Sequence, residues 1–147
     1  MNTAWITVII AAIIAYIAWQ QHELAKDRFK LDLFDKRFAV YKGAQVLLTR
    51  ISQKASSDID MLFEFRKDTQ DSAFLFDDSI TEYLKTLDKI ALELDCIISE
   101  LQGELSSKDK SQKRKRKREL VKSAIEELPK LKDVFAPYLK FERWNET

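Results

Sequence analysis

The feature that most constrains this chain is its N-terminal stretch, because no residue in 1–21 carries a charged side chain. The centre of the stretch, 4–19, consists almost entirely of Ile, Ala, Val and aromatic residues. A helix needs about 20 consecutive apolar residues to cross a bilayer, and Trp5 and Trp19 stand where interfacial aromatic rings are common. We therefore predict a transmembrane anchor over residues 1–21, with the lipid bilayer as its partner.

A cleaved signal peptide is the alternative for this stretch. Such a peptide would begin with a basic segment, which is missing. It would also end with two small residues separated by one position, and at 16–18 the large Tyr16 stands in the first of these places. Lys and Arg appear only after the stretch, beginning with Lys26 and Arg28. Because positively charged flanks stay on the cytoplasmic side, we predict an uncleaved single-pass anchor with residues 22–147 in the cytoplasm.

Four alanines within the anchor fall along one side of its helix, and these are Ala4, Ala11, Ala15 and Ala18. Small side chains on one stripe allow two helix backbones to approach closely in lipid. The stripe therefore predicts a homo-oligomer interface. The alternative is that the alanines reflect only the usual composition of membrane anchors.

The rest of the chain has the composition of a helical bundle. The whole sequence contains 2 Gly and 2 Pro, which are too few for the many turns of a β-sandwich or barrel. Apolar residues recur every three or four positions from His22 onward, which predicts that the first helix continues from the membrane to about residue 54. A polar cluster at 56–58 follows, and 58–78 is predicted to be a less regular connection containing a short helix.

Two further helices complete the predicted bundle. Ser79 and Glu82 have the spacing of a capping box, which predicts a helix over 79–105. The last helix is predicted to begin within a basic segment at 108–118 and to be interrupted or kinked at Pro129. An aromatic tail is expected to pack back on the bundle, with an oligomer or partner contact as the alternative. Its apolar residues are Leu131, Val134, Phe135, Tyr138, Leu139, Phe141 and Trp144. The predicted fold class is all-α, an N-terminal transmembrane helix continuing into a cytoplasmic helical bundle of about four helices.

The basic segment at 108–118 holds eight Lys and Arg residues and one Asp. It carries +7, so the remainder of a chain with net charge +1 carries −6. Three interpretations are open: a solvated loop or helix end, attraction to anionic lipid, and contact with the backbone of RNA or DNA. No aromatic residue lies within the segment, so base stacking is not provided there. The candidate binding residues are Lys113, Arg114, Lys115, Arg116, Lys117 and Arg118.

The lipid interpretation depends on the path of the chain. If the helix at 79–105 runs antiparallel to the first helix, the basic segment returns to roughly 10 Å from the membrane surface. Each Lys or Arg there contributes about 1 kcal/mol of attraction to anionic lipid. If 58–78 instead re-crosses the bundle, the basic segment lies at the far end and the lipid interpretation fails.

Sequence patterns typical of catalysis are scarce. The chain has one His and one Cys, with no Gly-rich phosphate loop, nucleophile elbow or Cys/His metal spacing. Cys96 lies in an apolar-periodic stretch and is expected to be a small buried hydrophobic residue. The acidic pairs Asp77-Asp78 and Glu126-Glu127 stand where helix ends and solvated faces usually carry acids. We therefore predict a non-enzymatic protein with neither cofactor nor metal.

Three segments, 29–41, 73–77 and 135–139, resemble a widespread set of uncharacterised small bacterial proteins with one N-terminal span. The resemblance covers most of the chain and implies a bacterial inner-membrane protein, but it brings no established activity. The layout alone is also similar to the small accessory membrane protein of type VI CRISPR systems, which forms a ring with a membrane pore and supports antiviral defence. The Arg-x-x-x-x-His signature of related ribonuclease domains is missing, because Ile17 stands five residues before His22, the only histidine.

Two functions follow as hypotheses. The first is a non-enzymatic membrane protein that self-associates, in the form of a pore-like effector of antiviral defence as the architectural similarity implies. The second is a membrane-anchored adaptor that recruits a cytoplasmic protein or a nucleic acid through its basic segment.

Overall fold

The computed structural model describes the backbone of residues 2–103 and 106–140, and the side chains of 4–103 and 106–140. These residues form helices and no strand, which confirms the predicted all-α class. The third element is a four-residue turn, so four longer helices build the fold. The elements are α1 (Asn2–Lys54), α2 (Ile59–Thr69), α3 (Ser72–Leu75), α4 (Asp78–Gln102) and α5 (Ser107–Leu139). Leu105, Phe141 and Trp144, assigned above to the third helix and the aromatic tail, lie outside the described residues.

The chain divides into two compact units, Met1–Asp35 and Lys36–Thr147. In the first unit, none of the described side chains is buried. Within the described part of the chain, α1 is the one helix long and apolar enough to cross a membrane, and none of its apolar window is buried. Helix α1 therefore contains a stretch that fits the predicted span.

Helix α1 ends where the sequence predicts, at Lys54. The next residue, Ala55, has a φ of 46°, in the left-handed region that usually requires glycine. Its amide still donates to the carbonyl of Ile51 at 2.8 Å, so Ala55 closes the last turn of the helix. Such a conformation costs roughly 1–2 kcal/mol for a residue with a Cβ. The chain then turns at Asp58, whose side chain accepts a hydrogen bond from the amide of Met61 and caps α2.

The predicted capping box at Ser79 is wrong. Helix α4 begins at Asp78, and its cap is Asp77, whose carboxylate accepts hydrogen bonds from the amides of Ser79 and Ile80. A carboxylate at a helix N-terminus also interacts favourably with the positive end of the helix dipole. Asp77 therefore displaces Ser79 from the capping position, and Ser79 lies inside the first turn.

The expected start of the last helix is also wrong, and so is the expected interruption at Pro129. Helix α5 begins at Ser107, capped by Ser106, so the entire basic segment is helical rather than containing the start of the helix. The helix also continues past Pro129 and Pro137 to Leu139. A proline removes one backbone hydrogen bond, and the loss is offset here because buried residues before and after Pro129 anchor the helix on both sides.

In the second unit, α2 runs antiparallel to residues 36–54 of α1. Arg50 pairs with Glu64 at 2.6 Å, and Gly43 lies so close to Asp68 that a Cβ on the glycine would meet the Asp68 Cβ at 2.7 Å. Only a residue without a side chain fits this crossing without displacing α2. The connection 58–78 therefore brings the chain back along α1.

Helices α4 and α5 then run antiparallel to each other. Glu93 of α4 pairs with Arg116 of α5, and Asp77 before α4 meets Tyr138 near the end of α5. Tyr41 of α1 packs edge-on against Phe135, with ring centroids 5.7 Å apart. Residues 36–54, α2, α4 and α5 thus form an up-down-up-down bundle. The basic segment consequently lies near Ala55, at the end of the unit opposite to the one where the chain enters at Lys36.

The core of the second unit collects apolar residues from every long helix of the bundle. Burying each large side chain contributes about 1.5–3 kcal/mol. Cys96 is exposed, so the expectation that it is buried is wrong; the buried positions of α4 around it are Leu94 and Ile97. The largest fully buried side chains are Phe135, Leu47, Leu48, Ile51, Leu62, Ile80, Leu87, Leu94, Leu131 and Val40.

Candidate functional site

The six consecutive cations predicted to bind lipid or nucleic acid are divided between two faces of α5. Successive residues of a helix are turned by about 100°, so Lys113 and Arg116 point toward α4. Lys113 donates to the carboxylate of Glu100. Arg116 donates two hydrogen bonds to Glu93, at 2.6 and 3.0 Å. The hydrogen bonds from Arg116 lower the pKa of the Glu93 carboxyl below its ordinary value. These two cations therefore join α5 to α4.

The other four predicted cations, Arg114, Lys115, Lys117 and Arg118, form no ion pair in the part of the chain that the structure describes. Lys110 and Lys108, about one and two turns earlier in α5, also form no ion pair among the described residues. Lys122 extends the same side of the helix, with a 3.8 Å pair to Glu126. At about 1.5 Å per residue, these cations cover roughly 21 Å of the helix. We call the seven residues the basic face.

A groove lies at one end of the basic face, with a volume of about 490 Å³. Its floor is apolar and is formed by Ala55, Val121 and Ile125. Ile125 is 48% exposed, a large fraction for an isoleucine on a helix that packs on a core. Four cations surround this floor, and they are Arg114, Lys117, Arg118 and Lys122. The groove cannot be predicted from local sequence patterns because it joins α5 to a residue some 60 positions earlier in the chain.

A second cluster lies at the other end of the bundle, around Arg37. The Nε of Arg37 donates to the carbonyl of Leu75 at 2.9 Å. Its guanidinium carbon lies 5.7 Å from the centre of the Phe76 ring and 5.8 Å from that of Tyr138, within the range of cation–π attraction. Partial burial lowers the pKa of Arg37. The three segments 29–41, 73–77 and 135–139, which carry the resemblance described above, therefore meet around one guanidinium group.

The same cluster fixes the start of α4. The hydroxyl of Tyr138 donates to the carboxylate of Asp77, the residue that caps α4. Hydrogen bonds from Ser79, first, and from Tyr138 lower the pKa of Asp77. The rings of Phe76 and Tyr138 pack edge to face at 5.3 Å. This arrangement ties α1, α4 and the end of α5 together, so the Arg37 cluster supports the bundle. From the sequence, Arg37 is predicted only as one of the basic residues that follow the membrane anchor.

The four alanines predicted as an oligomer interface are exposed along α1. The acidic pairs have structural surroundings, since Asp77 caps α4 and Glu127 pairs with Lys130 at 2.8 Å. His22 is also exposed. Of the acidic residues, Glu126 contacts the basic face through its 3.8 Å pair with Lys122.

Comparison of the chain with protein-family models, with curated proteins and with solved structures finds no match.

Proposed function

We propose that this chain is a non-enzymatic, single-pass protein of the bacterial inner membrane, with its helical bundle in the cytoplasm, and that it self-associates through its span. The observation that carries the proposal is the first unit, a single helix with no buried side chain among those described. Its apolar residues surround the helix, as expected of a helix in lipid. Its alanines, at positions 4, 11, 15 and 18, supply the stripe of small residues that favours close packing of two such helices.

The test is the mass of the full chain in lipid nanodiscs. Wild-type protein is expected at a multiple of 17.2 kDa, and Ala11→Leu with Ala15→Leu is expected to shift it toward the monomer, because bulky side chains on the stripe separate the backbones. Ala12→Leu is the matched control, since Ala12 lies about 100° round the helix from Ala11. A wild-type monomer at every lipid-to-protein ratio would overturn the proposal.

The physiological form of this proposal is an oligomeric membrane effector that acts in antiviral defence. It rests on the architectural similarity to the accessory membrane protein of type VI CRISPR systems alone. The double alanine variant that fails to assemble should then also fail to protect bacteria in a phage plating assay, while Ala12→Leu protects them.

A second candidate function, recruitment of an anionic partner, is favoured by a specific observation. The basic face spreads seven cations over about half of the circumference of α5. Its first members lie at the N-terminal end of that helix, where the helix dipole disfavours positive charge. A sequence that breaks a local rule in this way commonly does so at a functional site.

Charge reversal tests recruitment. Arg114→Glu with Arg118→Glu should abolish salt-sensitive binding of an anionic partner, whereas Arg116→Gln should leave it largely intact because Arg116 is already paired with Glu93. The probes are single-stranded RNA, anionic vesicles and an acidic peptide. Equal loss in both variants would contradict the division of α5 into a paired side and a free side.

A further inference from the structure

The groove beside the basic face combines two chemistries that rarely adjoin on a solvated surface. Its floor of Ala55, Val121 and Ile125 is apolar, and its rim consists of cations. A purely electrostatic surface gains nothing from an exposed isoleucine, whereas an apolar contact site would ordinarily be surrounded by residues of both charges. The combination fits a ligand that carries acids and apolar side chains together.

Ala55 adds a second observation at the same place. A helix that ends in the left-handed conformation usually does so with glycine, which avoids the strain of a Cβ. Here the residue is alanine, at a φ of 46°. The residue that adopts this costly conformation is one of those that line the groove.

The chemistry of the groove separates the possible partners. A nucleic acid binds through phosphates along a row of cations and has no aliphatic side chains to fill an apolar floor. Stacking of its bases would need aromatic side chains, and residues 108–125 contain none. An amphipathic protein helix supplies Leu or Ile for the floor and carboxylates for the guanidinium and ammonium groups of the rim.

We infer that the groove formed by Ala55, Val121 and Ile125 is a docking site for an acidic amphipathic segment of a partner protein, held by Arg114, Lys117, Arg118 and Lys122. The inference rests on the recruitment proposal and names its partner class. Carboxylates of the partner pair with the rim, and an apolar side chain of the partner covers Ile125. The remainder of the basic face, including Lys115, accelerates the encounter through its charge and contributes little to the bound state.

The experiment uses the full chain in nanodiscs of zwitterionic lipid and a fluorescent synthetic peptide of about 15 residues. The peptide carries Leu at helical three-and-four spacing and Glu at most other positions, and a control peptide replaces each Leu with Ser. Binding is followed by fluorescence anisotropy, with single-stranded RNA as a second probe. The variants in the groove are Ile125→Gln, Ala55→Gly and Lys117→Gln, and the control outside it is Lys115→Gln.

The expected result is that Ile125→Gln weakens binding of the Leu-containing peptide at least about tenfold, from the lost burial of one large apolar side chain. Lys115→Gln should change it less than about twofold. Ala55→Gly should weaken binding by roughly two- to fourfold, because the apolar contact of one methyl group is lost. Because glycine relieves the left-handed strain, this variant should unfold at equal or higher urea concentration, so the loss of binding cannot be attributed to damage of the fold.

Several results would overturn the inference. Equal binding of the peptide by wild type and Ile125→Gln would show that the apolar floor does not contribute to binding. Equal binding of the Leu and Ser peptides would show the same. If Lys115→Gln weakens binding as much as Lys117→Gln, and RNA binds in preference to the peptide, the basic face serves nucleic acid. If Ile125→Gln lowers the mass of the protein in nanodiscs, a second copy of this chain occupies the groove.

The parent proposal fails in a different way. A wild-type protein that binds neither peptide, nor RNA, nor anionic vesicles would overturn recruitment as a whole. Binding of RNA or vesicles without any effect of Ile125→Gln would overturn only the docking of an acidic segment in the groove.

Discussion

The two parts of α1, before and after residue 35, form one unbroken helix but differ in the burial of their side chains. Among the described side chains up to residue 35 none is buried, whereas 36–54 contributes several residues to the core: Val40, Ala44, Leu47, Leu48 and Ile51. Both parts are rich in Ile, Leu, Val and Ala, so their content of apolar residues does not explain the difference. The arrangement around the helix does, because 4–19 is apolar on every side and 36–54 carries a single apolar stripe.

The largest expected effect comes from placing the same charge in each part of α1. Leu48 is fully buried, so Leu48→Lys should destabilise the second unit by at least about 4 kcal/mol, enough to abolish its cooperative urea transition. Ile10→Lys should leave that transition within about 0.5 kcal/mol of wild type. Ile10→Lys should instead make the free energy of membrane insertion less favourable by about 3 kcal/mol. Urea unfolding followed by circular dichroism and carbonate extraction of membranes measure the two effects.

The two variants serve as controls for each other, and Ile10→Leu and Leu48→Met control for substitution at each site. Leu48→Lys protein should remain in the membrane pellet even though its bundle is unfolded. If Ile10→Lys lowered the stability of the bundle as much as Leu48→Lys does, the division of α1 into two independently stabilised parts would be wrong.

The same contrast explains which features the sequence predicts. The all-α class, the end of α1 at Lys54 and the short helix in 58–78 follow from local properties of the sequence: the spacing of apolar residues, the polar cluster at 56–58 and the scarcity of Gly and Pro. The errors concern choices that depend on distant residues. Asp77 replaces Ser79 as the cap of α4 in a position where Tyr138 also reaches its carboxylate. The helix passes Pro129 because packing on both sides anchors it.

The candidate site shows the same limit of prediction. The sequence identifies the cations of 108–118, but it cannot tell that Arg116 faces Glu93 while Arg114 faces solvent, since the position of α4 decides this. The meeting of Ala55 with Ile125 in the groove likewise depends on the antiparallel course of α1 and α5. The sequence therefore predicts the charges, whereas the fold decides which of them pair with α4.

The smallest expected effect is a difference in pH dependence between the two parts of the molecule. Residues 1–21 contain no carboxylate, so acid should not weaken membrane insertion. In the bundle, Arg116 lowers the pKa of Glu93 below the ordinary glutamate value of 4.5. A carboxyl whose pKa is lower in the folded state stabilises that state above the ordinary pKa, and this contribution disappears as the pH falls through the folded pKa.

The free energy of unfolding of the bundle should therefore fall as the pH drops from 5 toward 3, and Arg116→Gln should make that fall shallower. Arg114→Gln is the matched control, because it removes an equal charge one half-turn away, from a residue that forms no ion pair among those described. Urea titrations at a series of pH values compare the three proteins. If Arg114→Gln flattened the profile as much as Arg116→Gln, the pH dependence would arise from the total charge of α5. A selective effect of Arg116→Gln would instead assign it to the contact between α4 and α5, leaving the cations around the groove free for a ligand.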